Sequence, residues 1–204
     1  MRTDLQPNTW EFETEAFVTP TGFREYDARW WFGHPGSDQP PQINLYGVQA
    51  LGLGLGTLIH ELGREPRIVT GHDFRSYSLS VKQALEVGLM QAGIEVHDIG
   101  LALSPTAYFA QFHLDIASVA MVTASHNSNG WTGVKMGVER PLTFGPDEMS
   151  RLKEIVLNDE GVARPGGGYV RKTGVAEAYK AELSKGVSLK RRIKAVVACG
   201  NGTA

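Results

Sequence analysis

Residues 121–136 read MVTASHNSNGWTGVKM, and this stretch gathers more chemistry than any other in the chain. An apolar run, Ile116 to Val122, passes directly into Thr123, Ala124, Ser125, His126, Asn127, Ser128, Asn129 and Gly130, and Lys135 follows ten residues after Ser125. A short apolar run bounded by turn residues reads as a buried strand. The polar loop then lies at the strand's carboxyl end, where open parallel α/β sheets place their ligand crevices. A hydroxyl, an imidazole, an amide and an ammonium crowded together suit an anion, and phosphate above all. Ser, Asn and Gly also fill ordinary turns, because they tolerate positive φ and bond their own backbone, so composition alone admits both readings. A Ser-His-Asp hydrolase fits poorly: Ser125 and His126 are adjacent, and no G-x-S-x-G elbow is present.

Two other segments bear on such a site. Gly22 to Arg29 gathers Arg24, Glu25, Tyr26, Asp27 and Arg29. A charge run of this kind is ordinarily a solvated face, yet an arginine fork is also the natural bidentate partner of phosphate oxygens. Asp73 and Arg75 fall in the turn Gly71 to Ser78 that follows a strand at Arg67 to Thr70. They read either as a turn-stabilising ion pair or as neighbours of Ser125 on one sheet edge.

The elements that must position these groups alternate along the chain. Strands are predicted at Arg67 to Thr70, Ile94 to Ile99 and Ile116 to Val122, and helices at Ser80 to Ala92 and from Pro105 to His113. Asn44 reads as the N-cap of an apolar helix, Leu45 to Leu62, whose Gly47, Gly52, Gly54 and Gly56 permit close helix packing at some cost in helix stability. A helix from Asp147 to about Asn158 opens with acidic residues, as the helix dipole favours. Gly161 to Gly168 reads as a linker, followed by a helix at Val175 to Lys185 and a strand at Ile193 to Ala198. The pattern implies a mixed, mostly parallel α/β sheet covered by helices, with a second, similar α/β domain beginning near its end.

Composition narrows the partners. With 20 basic and 22 acidic residues the 204-residue chain has a net charge of −2, which gives no global field for nucleic acid or an anionic membrane. Any anion site must be local. The single cysteine, Cys199, excludes an internal disulfide framework and reads as a small buried hydrophobe. The acidic N-terminus lacks an apolar signal region, and no window approaches a membrane span, so the expectation is a cytoplasmic protein.

The wording of the loop adds a resemblance. TASHN, with Gly-x-Lys at Gly133 to Lys135, resembles the phosphoserine loop of the α-D-phosphohexomutases, the phosphomannomutase and phosphoglucomutase family. Further segments agree in order. GFREYDAR at Gly22 to Arg29 resembles the family's FREYDIRG segment, GHDFRSYS at Gly71 to Ser78 its GRDxRxSS segment, and LSPT at Leu103 to Thr106 its Pro-Thr-Pro turn. AVVACGNGTA, Ala195 to Ala204, is similar to the strand and glycine turn that open its second domain. There are also departures. Ser128 stands in place of proline, which removes a fixed φ, and Thr132 in place of asparagine, which removes an amide from the turn. Trp30 stands in place of glycine, so the backbone there should turn differently, and His72 replaces an arginine.

The resemblance implies a phosphohexomutase domain I over residues 1–174 and the truncated start of domain II over residues 175–204. It implies that Ser125 carries a phosphoryl group and exchanges it with a hexose 1- or 6-phosphate of the mannose, glucose or glucosamine series, through a hexose 1,6-bisphosphate that also serves as activator. Arg29 and Lys135 would neutralise charge, His126 or Lys135 would shuttle a proton, and Tyr26 and Asn127 would face the substrate. Mg²⁺ would bind the phosphate on Ser125, with its remaining ligands on an Asp-Gly-Asp-x-Asp loop that this chain lacks. The chain is therefore expected to be an N-terminal fragment, inactive without the rest of the polypeptide. The competing expectation is a non-catalytic phosphosugar-binding or assembly module derived from such an enzyme.

Overall fold

Consecutive buried residues along the central strands face opposite sides of one sheet, and that alternation builds three layers. The computed structural model describes residues 1–2, 4–198 and 203. In chain order these form α1 (Trp10–Thr14), a short 3-10 turn (Pro20–Gly22), β1 (Ala28–Trp31), α2 (Leu45–Glu61), β2 (Arg67–His72), α3 (Ser78–Gln91) and β3 (Glu95–Leu101). α4 (Ser104–His113), β4 (Ser118–Val122), β5 (Trp131–Gly137), α5 (Pro146–Leu157), β6 (Gly168–Arg171) and α6 (Val175–Ser184) complete the order. The sheet runs β1-β5-β4-β2-β3-β6. β4, β2, β3 and β6 are parallel, and β5 is antiparallel to its neighbours β4 and β1. The mixed, mostly parallel sheet predicted from the sequence is the one formed.

Ile68, Val96, Ala120 and Val122 pack with α2, α3 and α5, whereas Val69, Ile99, Val119 and Met121 pack with α4 and α6. α2 is the hub of the first layer. Asn44 caps it as expected, accepting from the Gly47 amide at 2.7 Å and from the Phe17 amide at 3.1 Å. The glycines do let the helices close up: a Cβ on Gly52 would stand 2.1 Å from the Leu85 carbonyl, and one on Gly88 would stand 1.9 Å from that of Gln49. Backbone therefore meets backbone where α2 crosses α3, and fully buried Leu51, Leu55 and Leu85 fill the space alongside, each contributing about 1.5–3 kcal/mol of burial.

The structure departs from the sequence reading in four places. β1 and β5 are strands where a charged segment and a loop were read, so Lys135 and Thr132 lie within β5. Trp30 makes no turn: it is an extended β1 residue, 1% exposed, whose indole donates to the Thr19 carbonyl at 2.8 Å. Gly161 to Gly168 is a fitted crossing onto β6, with Gly167 so close to the Met90 carbonyl that a Cβ would stand 2.0 Å from it. Gly167 serves contact with the end of α3, and Gly161 contact with Leu53 of α2. Residues 193–198 are not a strand, since none of the described residues pairs with them, and Val196 is 96% exposed. Cys199 and the glycine turn at residues 200–202 lie outside the described residues. α6 packs against the sheet's second layer through Val175, with the Tyr179 ring 5.4 Å from that of Phe109. Among the described residues no helix is long and apolar enough to cross a membrane.

Candidate active site

β2 and β4 are adjacent and parallel, and they end together, with His72 level with Val122. The Asp73 amide donates to the Val122 carbonyl at 3.0 Å. The turn after β2 and the loop after β4 therefore leave the sheet side by side. Thr123 is anchored to β5 by its amide on the Gly133 carbonyl at 2.9 Å, and its hydroxyl accepts from the Ser125 amide at 2.9 Å. The Asn127 amide closes a turn onto the Ala124 carbonyl at 3.0 Å. Ser125 is held at φ 55°, a region that costs a residue bearing a side chain about 1–2 kcal/mol. It is half-buried, and its hydroxyl lies 3.3 Å from Nδ1 of exposed His126.

Arg29 reaches this loop from β1. It is in register with Gly133 on β5, and a Cβ there would stand 3.0 Å from the Arg29 Cγ and 2.3 Å from the Ala28 carbonyl. The missing side chain is what lets the arginine stem cross β5. Its guanidinium donates twice to Asp27 Oδ2, at 3.0 and 2.8 Å, and through Nη1 to Asn127 Oδ1 at 2.6 Å and the Ala124 carbonyl at 3.4 Å. Lys135, two residues after Gly133 and so on the same face of β5, is opposite Met121, half-buried and without a side-chain partner among the described residues. Thus Arg29 and Asn127 meet within the loop that carries Ser125, His126 lies against the serine hydroxyl, and Lys135 is on the sheet face that Arg29 shares. Tyr26 is 55% exposed and donates to Glu25 at 3.0 Å, with no contact to the loop.

Asp73 and Arg75 are both the turn's ion pair and a brace for the loop. They pair directly, and Arg75 also donates to the Ser125 carbonyl at 3.4 Å and to the Asn127 carbonyl. Three supporting groups were not singled out from the sequence: Thr123, Asp27 and Tyr77. The Tyr77 hydroxyl accepts from the Gly130 amide and donates to the Trp131 carbonyl, both at 2.8 Å. Burial pushes that hydroxyl up from its ordinary range, so it stays protonated and able to donate. The signal for Asp27 was present in the sequence, two residues before Arg29, a spacing that puts both side chains on one strand face.

An open cleft of ≈ 260 Å³ borders Ser125, lined also by Asp73, Ser104, Pro105, Met121 and Thr123. Larger clefts lie near α1 and the loop at residues 34–41, and none of Tyr26, Arg29, Ser125, His126, Asn127 and Lys135 lines them. Chemistry, rather than size, marks the smaller one. Among the described residues no three His, Cys, Asp or Glu side chains are grouped to hold a metal ion, so these residues do not by themselves make a magnesium site.

Comparisons with known proteins identify the family and the fold. The family described as phosphoglucomutase/phosphomannomutase, alpha/beta/alpha domain I, matches residues 21–162. A phosphomannomutase of Escherichia coli is 34% identical over 192 residues, covering 90% of this chain and 39% of its own length. A phosphomannomutase/phosphoglucomutase of Pseudomonas putida is 30% identical over 183 residues, covering 89% of this chain and 37% of its own. The fold is similar to the crystal structure of a phosphoglucomutase/phosphomannomutase family protein from Burkholderia thailandensis, with TM-score 0.72 and 23% identity over 85% of this chain and 37% of that one. The chain spans about two fifths of the length of the curated relatives it matches. With the loop of Ser125, the arginine that crosses Gly133 to reach it and the sheet that carries both, the chain belongs to the phosphoglucomutase/phosphomannomutase family, matching its α/β/α domain I over residues 21–162.

Proposed function

We propose that Ser125 is the phosphoryl carrier of a phosphohexomutase, which interconverts hexose 1-phosphate and hexose 6-phosphate through a hexose 1,6-bisphosphate. The observation that carries this reading is the conformation of Ser125, held at positive φ beside a cleft by bonds that leave its hydroxyl directed to no backbone group. Phosphoryl transfer asks little of a protein beyond an in-line acceptor and positive charge around the migrating group. The phosphorus–Oγ bond of phosphoserine would break as a bond forms to the free hydroxyl of a sugar monophosphate. The sugar's proton would leave and Ser125 would take one up. After the bisphosphate turns over, the reverse step would return the other phosphoryl group to Ser125.

His126, 3.3 Å from the Ser125 hydroxyl, is placed to exchange that proton. Lys135, with no partner among the described residues, and Arg29 supply the positive charge. Asn127 and Tyr26 are proposed to meet the sugar. The magnesium that the family resemblance implies would take only the phosphoserine from this chain, and the remaining domains of a longer polypeptide would complete the site.

The test is turnover of glucose 1-phosphate and mannose 1-phosphate by the full-length protein. Replacing Ser125 by alanine is expected to lower it at least about 10³-fold, with sugar phosphate still bound. Undiminished turnover in the alanine variant refutes the carrier role. The isolated chain is expected to show no turnover.

A further inference from the structure

Arg75 is 4% exposed and so is Asp73 nearly, at 3%. A turn staple at this place needs only one cation opposite one carboxylate. The arrangement found is larger. Asp73 accepts from the Ser78 hydroxyl, the first residue of α3, and from the Arg75 amide at 3.3 Å. It pairs with Nη1 of Arg75, and Nη2 donates to the carbonyls of Ser125 and Asn127, which flank His126. The remaining nitrogen, Nε, is buried without a partner among the described residues. A buried unmet donor is costly, and a compact ammonium that only neutralised Asp73 would avoid that cost. Only the planar fork reaches a carboxylate and two carbonyls at once.

The Ser125 carbonyl lies in the peptide that directly follows the serine, and the Asn127 carbonyl lies two residues further along the same loop. Ser125 is in a disfavoured backbone region, and such a conformation persists only when its surroundings over-determine it. The bonds within the loop, from the Ser125 amide to Thr123 and from the Asn127 amide to Ala124, are local. Arg75 ties the Ser125–Asn127 part of the loop to the turn between β2 and α3, whereas Tyr77 holds only its exit at Gly130. We propose that Arg75 is a positioning residue for the phosphoryl-carrying serine: it transmits the fixed position of α3, through Ser78 and Asp73, to the carbonyls of Ser125 and Asn127, and so to the loop segment that holds the serine. This deepens the mutase reading and rests on it.

The decisive variant is Arg75→Lys, which keeps the charge opposite Asp73 but cannot span both carbonyls. Amide exchange of the chain is expected to rise about tenfold at Ser125 and Asn127, the scale of one lost hydrogen bond, with the amides of β3 and β6 unchanged. In the full-length protein, kcat is expected to fall about 10²-fold, the scale of an ångström's misplacement, with KM within about threefold. Raised loop exchange together with lost kcat supports the proposal. Loop exchange equal to wild type overturns it and leaves Arg75 a turn staple. So does raised loop exchange with full turnover, or complete rescue of kcat by lysine relative to Arg75→Met. Failure of the mutase reading has another signature, equal turnover by wild type and Ser125→Ala.

Discussion

Two clusters of charge in this molecule are built from the same residue types and end in opposite states. Around Ser125, Arg29 and Arg75 each hold a nearby aspartate and then reach on to loop backbone, and Lys135, in register with Met121 of the cleft's lining, is left without a partner among the described residues. Under α3 the second cluster closes on itself. Lys82, 1% exposed, meets Glu86 at 3.2 Å and also Asp98. Glu86 accepts from the Thr70 hydroxyl at 2.6 Å. Asp98 accepts from Tyr169 and from the Gly100 amide, both at 2.7 Å, and from Arg171. Gly100 must be glycine there, at φ 76° and with a Cβ position 2.3 Å from the Arg171 guanidinium. A charge whose partners all lie within the fold can specify only the fold. Charge left partly unmatched at an opening is available to a ligand.

The largest effect that would sharpen this contrast is Lys82→Met. It leaves Glu86 and Asp98 buried together without the ammonium between them, and stripping one member from a buried ionic group costs about 3–5 kcal/mol. Urea unfolding is expected to show that loss, while exchange at the amides of Ser125 and Asn127 stays at its wild-type rate relative to the global limit. A loop that loosened beyond that limit would mean that the two clusters form one unit.

The sequence showed the central part of this contrast and missed its edges, for reasons that lie in particular residues. β2, β3 and β4 were legible because each is an apolar run with clean turn boundaries, and Ser125 was legible because polar residues follow β4 so abruptly. β5 was not, although Thr132, Val134 and Met136 alternate inward, because Gly133 and Gly137 interrupt the strand pattern and read as loop. Those glycines exist for their neighbours: Gly133 clears the path of Arg29. The closed cluster was invisible. Lys82 and Glu86 look like an ordinary solvent-facing helical pair, and only the packing of α3 over Asp98 buries them. Tyr26, singled out with Arg29, stays exposed because its side chain leaves the chain before β1 begins.

A smaller effect separates the clusters by pH. Burial alone would raise the Asp98 carboxyl, but hydrogen bonds from Lys82, Tyr169 and the Gly100 amide outweigh it and hold the group at about 2. Its folded value thus lies below the ordinary 3.8. The stabilisation is fully present above about pH 4 and is lost as pH falls through about 2, on the order of 2 kcal/mol in all. Burial raises Glu86 instead, so its ionisation opposes folding only above its ordinary 4.5, outside that window. As pH drops from about 4 to about 2, urea midpoints are expected to fall for wild type and to stay flatter for Asp98→Asn. Parallel curves would show that the closed cluster contributes nothing there.

The smallest effect is on the open side. Tyr77→Phe keeps the ring, stacked on Phe32 with centroids 5.4 Å apart, and removes only the hydroxyl that joins the Gly130 amide to the Trp131 carbonyl. Gly130 is buried at the loop's return into β5 and packs so closely under Trp31 that a Cβ would stand 2.3 Å from the indole. Its amide therefore has little access to water once the hydroxyl is gone, and the change is expected to cost about 1–2 kcal/mol. Because that cost falls at the exit of the loop, exchange at Gly130 should rise by about tenfold, with the Gly100 amide of the closed cluster unaffected. Equal loosening at Gly100 and Gly130 would break the contrast, since it would mean that a bond at the loop's exit is felt as strongly beneath α3 as in the loop it closes.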